Sequence, residues 1–239
     1  MPQHARRLKI RRKDLRKPDE FETLTGQVVA WAGEHQALVY GVVALAVVAT
    51  IGALGVGRWR ASTNQSAATA FRSAQAGFQA GKFSDAAPAF ANIAQEYPRT
   101  PFGRVAGLYR AHALARQGDQ ANAITAYTEY LAGTAGAEYL RQQALIGLGR
   151  AREATGDATG ALDAYTQASA LKGPFQSDAL LNAARLQEAA GHADQAQGIY
   201  SGLLKDDAVD PEVRAFAAAK VPGATVPTSA TAEGTTEAQ

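Results

Sequence analysis

The sequence predicts an all-α chain: one membrane-crossing helix, then a solenoid of four helix pairs closed by a short C-terminal capping helix. Three observations carry this. Between His35 and Arg58 the chain runs 22 residues without a formal charge; glycines recur at intervals of 37, 38 and 35 residues; and small and aromatic residues stand at fixed offsets from each of them.

Residues 36–58 are the first element. As a helix rising about 1.5 Å per residue, the uncharged run reaches roughly 33 Å, enough for a hydrocarbon core of about 30 Å. A buried helix of a soluble domain is usually shorter and keeps a polar stripe. A cleaved signal would have a shorter apolar core followed by small residues, whereas Arg58, Trp59 and Arg60 follow here, so a retained anchor is expected. Tyr40 and Trp59 near its ends and Trp31 before it are expected at the membrane interfaces, where amphipathic rings are favoured.

Residues 1–17 form a basic tail, expected to be disordered and to meet anionic lipid headgroups. Residues 18–35 read as an amphipathic interfacial helix, because Phe21, Leu24, Val28 and Trp31 recur at helical spacing behind Pro18 and Asp19. Eight basic residues precede the span, which favours a cytoplasmic N-terminus and a periplasmic repeat domain. The nearest flanking charges, Arg58, Arg60 and Arg72, argue the other way, so a cytoplasm-facing adaptor is the alternative topology.

Beyond the span, Gly81, Gly118, Gly156 and Gly191 mark four units within residues 62–220. Seven residues before each lies Ala74, Ala111, Gly149 or Ala184. Five after comes Ala86, Ala123, Ala161 or Ala196, and nine after comes Phe90, Tyr127, Tyr165 or Tyr200. A glycine stops the first helix where φ must turn positive, and Ser84, Asp119, Asp157 and Asp194 are placed to cap the second. Small residues let the paired helices approach, and the aromatic fills the gap toward the next pair. One pair cannot bury its apolar face alone, but stacked pairs can.

This pattern resembles the tetratricopeptide repeat family, with a turn at Tyr97-Pro98-Arg99-Thr100-Pro101-Phe102 similar to that of bacterial cell-envelope members. The order of a basic tail carrying Arg12-Lys13-Asp14-Leu15 and Lys17-Pro18-Asp19-Glu20-Phe21, then one span, then repeats, resembles the YfgM-like family of inner-membrane proteins. That resemblance implies a periplasmic scaffold near the Sec translocon and periplasmic chaperones. It also implies a concave groove lined by the fifth, ninth and twelfth positions of each first helix. These are Phe71, Gln75 and Phe78; Leu108, His112 and Ala115; Ile146, Arg150 and Glu153; and Leu181, Arg185 and Glu188. The apolar fifth positions are more often core than ligand surface. The protein-binding candidates are Phe71, kept from among those fifth positions, with Gln75, Phe78, His112, Arg150, Glu153, Arg185 and Glu188. Relatives that clamp a terminal carboxylate carry Lys and Asn at the fifth and ninth positions of one unit. Phe71 and Gln75 stand there instead, so a chaperone-tail clamp is not expected.

Pro211 to Lys220 reads as the capping helix, with Val213, Phe216 and Ala217 inward. Residues 221–239 are rich in Pro, Gly, Thr and Ala and are expected to be disordered.

Catalysis is not indicated. The chain has no Cys, which excludes disulfides, thiolate metal sites and thiol nucleophiles. His4, His35, His112 and His192 lack ligand spacing, and Gly77 with Gly81-Lys82 fails as a phosphate loop because Phe83 stands where Ser or Thr is needed. No cofactor, metal or small-molecule substrate is expected. After Arg60, 17 acids face 14 basic residues, so nucleic-acid binding is not expected either. The expected function is protein binding near envelope or secretion machinery. The alternative is a structural subunit held in a larger membrane complex by its span.

Overall fold

The computed structural model describes residue 26, residues 29–133 and residues 137–224. The expected basic tail at 1–17, most of the expected interfacial helix at 18–35 and most of the expected tail at 221–239 lie outside them. Among the described residues the secondary structure is helical throughout, with no strand. The chain divides into two compact units, Met1–Arg60 and Ala61–Gln239.

In the first unit, residues 29–34 are helical and reach a turn at His35. The imidazole stacks on Trp31 with ring centroids 4.8 Å apart, and its Nδ1 lies 3.1 Å from the Trp31 carbonyl. Helix α1, Gln36–Gln79, then begins. The side chains of its apolar run are unburied, with Leu45 71% and Ile51 64% exposed. The Thr50 hydroxyl within it donates to the Ala46 carbonyl at 2.8 Å, so this polar side chain is satisfied by its own helix. Trp31, Tyr40 and Trp59 are all half or more exposed. The helix continues past the apolar stretch to Gln79, just before the first repeat's glycine turn. Neither a proline nor a left-handed residue interrupts it.

The second unit holds the C-terminal part of α1 and eight further helices. These are α2 (Phe83–Glu96), α3 (Pro101–Gln117), α4 (Gln120–Ala132), α5 (Glu138–Ala154), α6 (Ala158–Ala170), α7 (Gln176–Ala189), α8 (Ala193–Lys205) and α9 (Pro211–Lys220). From α2 onward each helix packs on the next. In addition α3 touches α5, α5 touches α7 and α7 touches α9, so the first helices of successive pairs form one layer.

The four glycines have φ between 76° and 93°. At each, the next residue's amide bonds back to the carbonyl four before the glycine: Lys82 to Gly77, Asp119 to Leu114, Asp157 to Arg152 and His192 to Gln187, at 2.9–3.0 Å. This satisfies orphan carbonyls and reverses the chain in the same way four times. The cap of each second helix is the residue directly after the glycine. Asp119 and Asp157 fill that position and accept from Asn122 and Gly160 amides at 3.3 and 2.9 Å. In the first and fourth units the position falls to Lys82 and His192, which make no side-chain cap bond. Ser84 and Asp194 do not cap as expected, because they lie two residues further on, inside the first turn.

All twelve small and aromatic positions of the repeat are buried. Tyr127, Tyr165, Tyr200 and Phe90 are among the largest fully buried side chains. Glycine at 147 and 149 leaves room for rings: a Cβ at Gly147 would overlap the Tyr127 ring, and one at Gly149 would come within 2.6 Å of Tyr165. In α9, Ala217 and Ala218 are buried and Val213 packs on the fourth-pair core. Phe216 does not turn inward as expected. It is 45% exposed and only grazes Tyr200, at a centroid distance of 6.3 Å, while the neighbouring alanines fill the contact.

One buried polar group ties the third pair to the fourth. Gln142 is fully buried; its Nε2 donates to the Leu171 carbonyl at 2.7 Å and its Oε1 accepts from the Phe175 amide at 3.4 Å. Satisfied on both ends, it fixes the connection from α6 to α7.

Candidate protein-binding groove

The layer of first helices carries a concavity of about 520 Å³. Phe78 on α1, His112, Ala115 and Arg116 on α3, and Ile146 and Arg150 on α5 line its walls. Tyr127 reaches in from α4, and Gln143 adds an amide. Phe175 and Asp178 close the far side, where the Gln142 bonds hold the connecting segment in place.

Its aromatic wall extends from the first-pair core. Phe71, Phe90 and Tyr109 meet at centroid distances of 5.1–5.4 Å, and Phe78 joins them at 5.9 Å from Tyr109. Tyr109 then meets His112 edge-on at 6.1 Å, and His112 meets Tyr127 at 5.5 Å. His112 Nδ1 and the Tyr127 hydroxyl lie 2.7 Å apart. Burial, reinforced by Arg150 and Arg116, pushes the His112 pKa down to about 4. Burial likewise holds the Tyr127 hydroxyl well above its ordinary range. At neutral pH both are uncharged, and the imidazole tautomer sets which of the two donates. Arg116 sits over Phe83 with its guanidinium carbon 5.6 Å from the ring centroid, a cation–π contact at the rim.

Of the sequence candidates, Phe78, His112 and Arg150 come together at this cavity. Phe71 does not belong to it. It is 6% exposed, covered by Phe102 and Tyr109, and is core. Leu108, another fifth position, is fully buried as well. Gln75 is half-buried on α1 and outside the lining.

Glu153, Arg185 and Glu188 are engaged with one another's units. Arg185 Nη1 and Nη2 donate to the two Glu153 oxygens, both at 2.7 Å, and the Tyr165 hydroxyl donates to Glu153 at 3.2 Å. One repeat later Lys220 Nζ donates to both Glu188 oxygens at 2.9 and 3.0 Å, and Tyr200 adds a bond at 3.2 Å. The Arg185 bonds hold the Glu153 carboxyl below the ordinary range, and those from Lys220 do the same for Glu188. These clasps lie outside the cavity's lining.

Sequence reasoning missed Arg116, Gln143, Phe175 and Asp178 as groove residues. Phe175 and Asp178 lie at the connection from α6 to α7, where repeat spacing carries no signal. Gln143 and Arg116 lie on first helices but off the three positions carried over from the resemblance.

Stacked helix pairs with a lined concavity define a helical-repeat protein. The chain belongs to the tetratricopeptide repeat-like domain family, whose match covers residues 30–190; residues 178–208 also match the tetratricopeptide repeat itself. Such repeats form protein–protein interaction scaffolds. None of the curated proteins matches the sequence. Among solved structures, a tetratricopeptide repeat protein from Parabacteroides merdae superposes with a TM-score of 0.54 at 17% identity, over 65% of this chain and 59% of that one. The chain thus spans about three fifths of that relative's length. The nearly identical repeats of a Podosopora anserina protein named as a kinesin light chain superpose with a TM-score of 0.52 at 17% identity, over 64% of this chain and 82% of theirs. At such identity the likeness is one of fold.

Proposed function

We propose that this protein is a membrane-anchored scaffold that holds segments of other proteins in the groove of its first three repeats. The carrying observation is the pairing, within one family match over residues 30–190, of an apolar helix with an open, lined repeat groove. The apolar stretch leaves nine Leu, Ile and Val side chains exposed between Leu38 and Val56. Removing them from water is worth about 1.5–3 kcal/mol each, far more than a marginally stable domain can forgo, and a bilayer supplies the cover. Anchoring raises the local concentration of the groove beside membrane partners, so weak contacts suffice.

The bacterial inner membrane is the proposed location, with the repeats in the periplasm near the Sec translocon and chaperones. Its support is the leader's charge and the resemblance to single-span envelope proteins. A photo-crosslinking residue in place of Gln143, in intact membranes, tests the function. It should capture a defined set of envelope proteins that the same residue at Thr128, exposed on α4, does not capture. Equal capture from both positions, or none from Gln143, would sink the reading.

A further inference from the structure

The clasps of the third and fourth units follow one rule. Three residues before the turning glycine stands an acid, Glu153 or Glu188. It accepts from the tyrosine twelve residues on and from a cation of the next first helix or cap, 32 residues on. The second unit keeps two of the three parts. Tyr127 is the tyrosine, and Arg150, six residues before Gly156, matches Arg185, six before Gly191; it lies 35 residues after Ala115 rather than 32 because the interval from Gly118 to Gly156 is three residues longer than that from Gly156 to Gly191. The acid is missing: Ala115 stands three residues before Gly118. Among the described residues Arg150 forms no hydrogen bond or ion pair, it is exposed, and it lines the cavity beside Ala115 and Arg116. The one acid of the lining, Asp178, belongs to α7, so the cations outnumber it.

We propose that the bound segment supplies the absent carboxylate. The cavity takes a stretch of polypeptide whose acidic group lies on Arg150, in the place that Glu153 and Glu188 fill in their own units. An adjoining apolar side chain lies against Phe78, Ile146 and Phe175. Charge complementarity commits the occupant: a guanidinium at an open site that no internal carboxylate bonds prefers one from outside, which it can grip with two parallel bonds as Arg185 grips Glu153. This rests on the protein-binding reading above and specifies its ligand. A side-chain carboxylate and a chain terminus share this chemistry.

The test uses the full chain in lipid nanodiscs and a dodecapeptide library made in two forms, with free and with amidated C-termini. Retained amidated peptides should be enriched in Asp or Glu next to an apolar residue, and Asp→Asn or Glu→Gln in such a peptide should weaken it at least tenfold. Retention of amidated peptides assigns the side chain, and retention of free-acid peptides alone assigns the terminus.

Ala115→Glu installs the internal carboxylate. It should weaken the same peptides at least tenfold while leaving the melting temperature equal or higher, and Arg150→Gln should weaken them similarly. Amidated peptides retained without acid enrichment, no retained peptide at all, or affinities within twofold in Ala115→Glu and Arg150→Gln would overturn it. Capture from Gln143 in membranes that is indifferent to Ala115→Glu removes this inference alone, whereas loss of all groove capture removes the protein-binding reading as well.

Discussion

Acidification from pH 7 to pH 5 should loosen the repeats through one side chain, His112. In the folded protein, burial next to Arg150 and Arg116 holds its pKa at about 4, against an ordinary value of about 6.5. The folded state therefore refuses a proton that the unfolded chain accepts. Stability is full above the unfolded value and falls as pH drops through the window from about 6.5 to about 4, where the loss levels off. The whole window is worth about 3 kcal/mol, and the part lost by pH 5 is about 2 kcal/mol. The Glu153 and Glu188 carboxylates are shifted down from their ordinary value, so what they contribute is lost as pH falls through and below the usual carboxylate range, and they add little between pH 7 and pH 5.

The assay is urea unfolding of the full chain in non-ionic detergent, followed by near-ultraviolet circular dichroism, which reports the repeats because seven of the eight tyrosines lie there. With a urea slope of about 2 kcal/mol per molar, the midpoint should fall by about 1 M between pH 7 and pH 5. His112→Asn keeps a hydrogen-bonding group beside the Tyr127 hydroxyl but cannot titrate, so its midpoint should stay level over the same interval. A wild-type midpoint that does not move, or a variant that falls in parallel, would refute the reasoning.

Other consequences of the packing can be measured in the same way. Gly149→Ala drives a methyl into the Tyr165 ring and should cost about 1–3 kcal/mol, read as a lower urea midpoint. Gly156→Ala meets no neighbour, yet its φ of 84° is unfavourable for any side chain; it should cost about 1–2 kcal/mol, with the groove unchanged by hydrogen exchange elsewhere. Asp157→Ala removes the cap bond to the Gly160 amide and should cost about 1 kcal/mol, whereas Asp194→Ala, which breaks no cap bond, should cost less.

The repeat architecture is legible in the sequence because each of its devices is local. A glycine, an alanine and an aromatic at fixed offsets each answer a backbone or packing demand within one pair, and all of them are buried or turned as that demand requires. The groove is less legible because it depends on what lies a full repeat away. Phe71 reads as groove surface by its position, but the first unit has no preceding pair, and Phe102 and Tyr109 from the next helix cover it. Glu153, Arg185 and Glu188 read as free surface, yet each is held by a partner 32 residues off. That spacing stands in the sequence as an acid followed one repeat later by a cation, and its interruption at Ala115 is what singles out Arg150. The caps show the reverse case: Ser84 and Asp194 are good capping residues two positions too late, and only the turn geometry fixes the register.

Membrane attachment of the repeat scaffold is tested most directly by alkaline carbonate extraction combined with cysteine labelling. The chain has no native cysteine, so a single one introduced at Ser201, on α8, reports on its own. The full-length protein should stay in the carbonate pellet, and Cys at 201 should react with a membrane-impermeant maleimide in intact spheroplasts. Release into the carbonate supernatant, or labelling only after the inner membrane is opened, would contradict a scaffold anchored by its apolar helix and displayed in the periplasm.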